Sequence, residues 1–294
     1  MLTRGSVQMF APPEGFDSLD SARFVVASVP VEATVSYGGG AASGPAALLE
    51  ASQQVELFDV DEVSEPYRKG IATLEIPGKF SDAPSAIEYA RSLTEEICAL
   101  GKIPVVLGGD HSLTTGIIQA LAKTNQDFSI LHFDAHGDLR DTYHGDKFSH
   151  ASVMRRVLEV SNVKTLVQVG IRNVSNDPAD GSEYDFIQSN LDRIRVYYAK
   201  DMKSWSTDEI VSQLAEKVYI TIDVDALDCT LVPGTGTPEP GGMDWYTTLS
   251  ILKATCVGKT IIGMDVVEFA PITGFRAPDF MIAKLIYKTI GFIR

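Results

Sequence analysis

FSILHFDAHGD, residues 128–138, is the stretch whose reading decides the fold. Residues 128–133 read as a short strand. Immediately beyond it stand Asp134, His136 and Asp138, at i, i+2 and i+4. In an extended segment those three side chains leave on one face. Two carboxylates and an imidazole then share a small volume. Without a cation the carboxylates repel and one must take up a proton; a divalent metal removes the conflict. The plainer alternative is a solvated acidic loop.

The same grammar, an apolar run and then a polar cluster, recurs outward from this point. Candidate strands cover residues 23–29, 71–76, 103–107, 128–133, 165–169, 194–198, 217–222 and 260–264. Several, as in VVLGG and TIIGM, are apolar on consecutive residues, the pattern of strands buried on both faces of a parallel sheet. Helical candidates lie between them, at 44–53, 83–100, 115–123, 151–159, 206–215, 244–256 and 278–293. Alternation over the whole chain predicts one three-layer α/β/α domain, residues 1–294, with a mostly parallel sheet of about eight strands. Residues 1–21 read as an N-terminal extension without an assigned role. Such sheets place their chemistry in loops beyond the carboxyl ends of the strands.

Three further clusters fall at such ends. GGDHS, residues 108–112, presents His111 after a tight glycine turn. TIDVDALD, residues 221–228, presents Asp223 and Asp225 on one face, with Asp228 placed to cap the next turn. Acids so close to an apolar strand need compensation, because an unpaired buried carboxylate is costly. GMDVVE, residues 263–268, brings Glu268 toward the same crevice. Taken singly, each has a bland reading as a loop residue. Jointly, two His and four Asp at three strand ends form a nitrogen and oxygen donor set without sulfur, which favours hard or borderline divalent ions, Mn2+ among them. Six protein ligands with shared carboxylates suit two metals about 3.5–4 Å apart.

Composition narrows the function classes. The 294 residues are 45% hydrophobic and 22% charged, an ordinary globular balance. Asp and Glu number 39 against 25 Lys and Arg, a formal charge of −14. Such a chain is a poor nucleic-acid binder, since phosphate contacts need clustered cations; its field favours a cationic small molecule. Three cysteines, Cys98, Cys229 and Cys256, are too few for a disulfide framework and fit reduced thiols in a cytoplasmic protein. No apolar h-region opens the sequence and no run approaches about 18 apolar residues, so neither a signal peptide nor a membrane span is expected.

GGDHS, FDAHGDLRD, DVDALD, PGTGTP and GMDVVE occur here in the order in which they occur in the ureohydrolase family, the arginases and agmatinases, which this chain resembles from Gly108 to Glu268. Upstream, Val35–Gly40 and Ser43–Pro45 resemble that family's glycine-rich N-terminal loop. The resemblance implies one manganese on His111, Asp134, Asp138 and Asp223, and a second on Asp134, His136, Asp223 and Asp225, with Asp134 and Asp223 bridging. It implies that Glu268 binds a guanidinium group and that His150 shuttles protons, with His144 a weaker candidate. It also implies a homo-oligomer, a trimer or hexamer.

The chemistry can be argued from the residues as well. A guanidinium carbon is a poor electrophile and water a poor nucleophile, so two metals that acidify a bridging water supply what both lack. Glu268 would hold the planar cation by charge-assisted hydrogen bonds. His150 would protonate the leaving amine. The stretch DLRDTYHGD, residues 138–146, lacks the residues with which arginases bind the α-carboxylate and α-amine, and resembles agmatinases. Agmatine hydrolysis to putrescine and urea is therefore the leading expectation. Arginine, guanidinobutyrate or formiminoglutamate on the same metals, and a catalytically silent binding homologue, are the alternatives. Arg140 would meet a substrate carboxylate or, more simply, form an ion pair. Cys229 stands where the family usually has proline, which puts the rigidity of that loop in question.

Overall fold

The apolar runs form strands, and in each of them side chains alternate between two separate cores. In the computed structural model, which describes residues 2–294, Phe24 and Val26 of β1 (Phe24–Val29) face one core while Val25, Ala27 and Val29 face the other. This period-two split is the consequence of the pleat, and it explains why the strands are apolar on consecutive residues. The remaining strands are β2 (Ile71–Thr73), β3 (Ile103–Gly108), β4 (Phe128–Phe133), β5 (Val163–Ile171), β6 (Ile194–Tyr198), β7 (Lys217–Asp223) and β8 (Thr260–Val267). They form one sheet in the order β2-β1-β3-β8-β7-β4-β5-β6, every pairing parallel.

Helices cover both faces, as the burial of both faces requires. On one side α2 (Ala83–Ala99) packs on α3 (Thr114–Leu121), and α3 on α4 (Val153–Leu158). On the other lie α1 (Gly44–Ser52), α6 (Thr207–Ser212), α7 (Trp245–Gly258) and α8 (Ala277–Phe292). The expected α/β architecture is thus the observed one. Among the described residues no helix is long and apolar enough to cross a membrane.

The differences from expectation are local and have physical causes. A further helix, α5 (Glu183–Ser189), is capped by Ser182, whose side chain accepts from the Asp185 amide; its roughly two turns carry too few apolar residues to show a period. Strand β2 stops after Thr73, where the chain leaves the sheet edge toward Pro77. Strand β8 runs on to Val267, so Asp265 lies inside the sheet rather than beyond it. The N-terminal segment is docked: the Gln8 side chain pairs with both the amide and the carbonyl of Thr73, and Met9 and Phe10 are buried in the core.

Glycine at position 116 lets α2 and α3 touch. A Cβ there would sit 2.0 Å from the Ile87 carbonyl oxygen of α2. Alanine is the better helix former by about 1 kcal/mol, but this contact should reverse the sign: Gly116→Ala is expected to destabilise the protein by about 1–3 kcal/mol, the usual cost of overpacking. A urea titration of the variant checks it; an unchanged or raised midpoint would refute the packing argument.

Candidate metal centre

The four strands that carry the polar clusters, β3, β8, β7 and β4, are neighbours at the middle of the sheet. Their carboxyl ends therefore meet side by side. After β3, Gly109 passes so close to the next chain segment that a Cβ would lie 1.8 Å from the Val31 carbonyl oxygen. Asp110 then caps a single turn that begins with His111. Strand β4 ends at Phe133 and Asp134 follows directly. Strand β7 ends on Asp223, and a short turn over Val224–Ala226 carries Asp225. Glu268 follows β8 with φ 62°, a left-handed conformation uncommon for a side-chain-bearing residue. Its amide donates to the Gly109 carbonyl (2.8 Å) and its Oε1 accepts from the His111 amide (2.7 Å), and these bonds hold the strained geometry.

The convergence of Asp134, His136 and Asp138 comes from a bend, not from an extended segment with one face. The chain curls after Phe133, and Asp138 is itself left-handed (φ 52°). As a result the two acids serve different sides of the site. His111 Nδ1 lies 3.2 Å from Asp138 Oδ2, 3.5 Å from Asp134 Oδ2 and 3.6 Å from Asp223 Oδ2. His136 Nδ1 lies 3.0 Å from Asp225 Oδ2 and 3.5 Å from Asp134 Oδ1. All six residues are thus brought together, with Asp134 facing both imidazoles through different oxygens. Backbone amides lock the carboxylates in place: His136 donates to Asp134 Oδ1, Ala135 to Asp225 Oδ1, and Asp225 to Asp223 Oδ1.

One atom tests whether this donor set fits a cation. His111 is fully buried, and among the described residues its Nδ1 has no hydrogen-bond partner. The ring's other nitrogen explains why. Thr221 Oγ1 lies 2.8 Å from His111 Nε2 and donates its single proton to Asp265 Oδ1 (2.6 Å), so Nε2 must be the N–H donor. The Nδ1 lone pair is then left facing three carboxylates, a repulsive arrangement that a divalent cation converts into ligation. Asp265, inside β8 and fully buried, also accepts from Thr114 and Tyr219 hydroxyls (2.7 and 2.6 Å). Three hydroxyls solvate this buried acid, and one of them relays its charge to His111.

A second support stands behind Asp134. The His132 ring lies 2.7 Å from Asp134 Oδ2 through Nε2, and its Nδ1 faces the Gln168 amide nitrogen (2.9 Å), which also donates to the Gly137 carbonyl. His132 is therefore a donor to Asp134, its Nε2–H already used, and not a spare ligand. Sequence reasoning missed His132, Thr221 and the buried role of Asp265. The signal existed for the first two: each stands two residues before a clustered aspartate at or just past the end of its own strand, hence on the same side.

The charge balance points the same way. Burial pushes the carboxyls of Asp223, Asp225 and Glu268 upward, and their acidic neighbours add to the effect. Burial opposes charge on His136, yet Asp225 and Asp134 outweigh it and hold its pKa at about 12. Burial likewise opposes charge on His111, and Asp134, Asp138 and Asp223 raise its pKa well above the ordinary value. The protein alone balances the crevice only by retaining protons; cations do so without them.

A cavity of about 190 Å3 opens onto this cluster. Glu268 and His150 both line it. Nδ1 of His150 lies 3.0 Å from Thr34 Oγ1 and its Nε2 3.0 Å from Ser36 Oγ. His144 packs instead on the Tyr143 ring, 4.2 Å away between centroids, and is not among the lining residues. Arg140 forms an ion pair with Asp180 (2.5 Å) and stacks over Tyr143. The loop whose rigidity Cys229 puts in question is tied by Asp228, whose carboxylate accepts from the Thr230, Gly241 and Gly242 amides. Arg172 adds bonds to the Asp225, Glu239 and Pro240 carbonyls.

Comparison with known proteins agrees with this geometry. Residues 22–291 match the Arginase family. The N(1)-aminopropylagmatine ureohydrolase of Synechocystis is 37% identical, over 97% of this chain and 94% of the relative. The agmatinase of Pyrococcus horikoshii is 31% identical over 93% of each. The crystal structure of the agmatine ureohydrolase of Thermoplasma volcanium superposes with a TM-score of 0.85, at 26% identity, over 97% of this chain and 94% of that one. A sheet whose four central strand ends carry these clusters in this order, matched over nearly its full length, places the chain in the arginase family of ureohydrolases, hydrolases of amidine C–N bonds.

Proposed function

We propose that the protein hydrolyses the guanidino group of agmatine, giving putrescine and urea, on a pair of Mn2+ ions. The observation that carries the substrate class is the charge of the cavity. Among the described residues lining it, Arg140 is the one Lys or Arg side chain, and it is already committed to Asp180. Asp138, Glu183, Asp223, Asp225 and Glu268 line the same space. A substrate carboxylate finds no free cation here, whereas a second ammonium group is welcomed by the field. This favours a guanidinoalkylamine over arginine or guanidinobutyrate. A longer substrate of the same class, N(1)-aminopropylagmatine, is the second reading, favoured by relatives of that name at 37% and 36% identity.

His111, Asp134, Asp138 and Asp223 would hold one ion, and Asp134, His136, Asp223 and Asp225 the other. When bound, the two ions neutralise the carboxylates and acidify a water beside the substrate carbon. Glu268, fixed by its bonds to Gly109 and His111, receives the guanidinium through charge-assisted hydrogen bonds and sets the face that water attacks. Addition of water makes the carbon tetrahedral. The C–N bond to the alkylamine then breaks once that nitrogen is protonated, and His150 at the cavity wall delivers the proton.

Three measurements test this reading. Urea release from Mn2+-loaded protein should be fastest, by kcat/KM, with agmatine or its N(1)-aminopropyl derivative, and at least about tenfold slower with arginine or guanidinobutyrate, a margin of about 1.4 kcal/mol. A preference for either acid would overturn the charge argument. Asp134→Asn and Asp223→Asn should each lower bound manganese, read by elemental analysis after desalting; full retention of two ions would remove these residues from the metal set. His150→Ala should keep parental metal content while losing about a hundredfold or more in kcat, the usual range for a general acid.

A further inference from the structure

The loop that leaves β1, residues 31–38, passes over the cavity wall and meets both nitrogens of His150. Its anchor is Asp110, buried beside the metal cluster. Asp110 Oδ2 accepts from the Ala33 amide (2.9 Å), the Thr34 amide (3.0 Å) and the Thr34 hydroxyl (3.2 Å). Its Oδ1 accepts from the Ser112 amide (3.1 Å) and hydroxyl. The loop is therefore fastened to the end of β3 by a carboxylate that has no other work in the reaction.

The Thr34 hydroxyl is the hinge of the argument, because it has three partners and one proton. Asp110 can only accept. The His150 backbone N–H, 3.0 Å away, can only donate. The third partner, His150 Nδ1 at 3.0 Å, can do either. If the Thr34 proton pointed at Nδ1, the hydroxyl would present a lone pair to the carboxylate of Asp110. With the proton on Asp110, the hydroxyl accepts twice, from the His150 amide and from an Nδ1–H. Ser149 Oγ, at 3.4 Å from Nδ1, is too far to compete. Ser36 Oγ then meets the remaining nitrogen, Nε2, at 3.0 Å as a donor to its lone pair.

We propose that Thr34, backed by Asp110, is a positioning residue that holds His150 as the Nδ1–H tautomer and presents Nε2 to the substrate. This rests on the reading of His150 as the proton donor. Nε2 takes a proton from the attacking water and passes it to the departing amine nitrogen as the C–N bond breaks, while Nδ1–H stays on Thr34 throughout. The chain carboxylate–hydroxyl–imidazole does for His150 what Asp265 and Thr221 do for His111, with the opposite nitrogen protonated.

The test reads the tautomer directly. The full-length protein, labelled with 15N-histidine and loaded with diamagnetic Zn2+, gives long-range 1H–15N correlations, and His150→Ala assigns the His150 set. The parent is expected to show the Nδ1–H pattern, and an Nε2–H pattern would overturn the proposal. Thr34→Val should mix the tautomers and lower kcat of the Mn2+ form by at least about tenfold, with KM within about twofold and manganese content unchanged. Thr34→Ser should restore both the spectrum and kcat, which separates the hydroxyl's role from general damage to the loop. Unaltered tautomer and kcat in Thr34→Val would overturn the proposal, as would a loss confined to KM. If His150→Ala turned over at the parental rate, the proton-donor reading would fail, while the parental spectrum would still decide whether Thr34 sets the imidazole.

Discussion

Everything in this molecule answers to one electrostatic constraint: four buried aspartates and a half-buried glutamate crowd together at the carboxyl ends of adjacent parallel strands. Ionised carboxylates at such close quarters are costly unless each is compensated. Backbone amides of the loops compensate part of the charge, through the His136, Ala135, Asp225 and His111 N–H groups. The rest must be balanced by retained protons or by cations. That requirement explains why the ligands are placed at strand ends, where the sheet fixes them, and why a fully buried Nδ1 tolerates the absence of any hydrogen-bond donor among the described residues.

The imidazoles face a different problem. Each has two nitrogens, and only one tautomer is useful. The structure solves it with hydroxyls that must spend their proton on a buried carboxylate. Thr221 spends its proton on Asp265, so His111 carries its own on Nε2 and offers Nδ1. Gln168 fixes the same tautomer in His132 by donating to its Nδ1, which leaves Nε2–H for Asp134. None of these partners is among the residues lining the cavity, but they set the tautomers of the imidazoles they hold.

Much of this was legible in the sequence because the chemistry sits at a point of changing pattern. An apolar run that stops at a cluster of acids marks both a strand end and a site, and the chain shows that transition at residues 108–112, 134–138, 223–225 and 268. What stayed hidden was what lies inside an apolar run. His132 and Thr221 look like isolated polar interruptions of strands, and Asp265 looks like part of an exposed cluster until β8 is seen to continue to Val267. The reason for the convergence was also hidden. Spacing at i, i+2 and i+4 named Asp134, His136 and Asp138, but the left-handed turn at Asp138 is a tertiary outcome that no period reveals. The contacts between His150 and the loop after β1 span over a hundred residues and leave no local mark at all.

The site divides by rigidity along the same line. The candidate metal ligands come from strand ends and the tight turns that follow them, where neighbouring strands hold the backbone on both sides. His150 comes instead from a loop before a short helix, α4, and is steadied by a second loop from the far side of the sheet centre. A cation pair needs fixed donors, because error in any ligand costs affinity directly. A proton donor must follow a nitrogen that moves away as its bond to carbon breaks. Holding the proposed donor through the hydroxyls of two loop residues, rather than within the sheet, would fix its tautomer and leave its position adjustable, and the Asp110 carboxylate that anchors the Thr34 hydroxyl is built into the same β3 turn that carries His111. The candidate metal site and the proposed proton donor therefore share one foundation, the turn that follows β3.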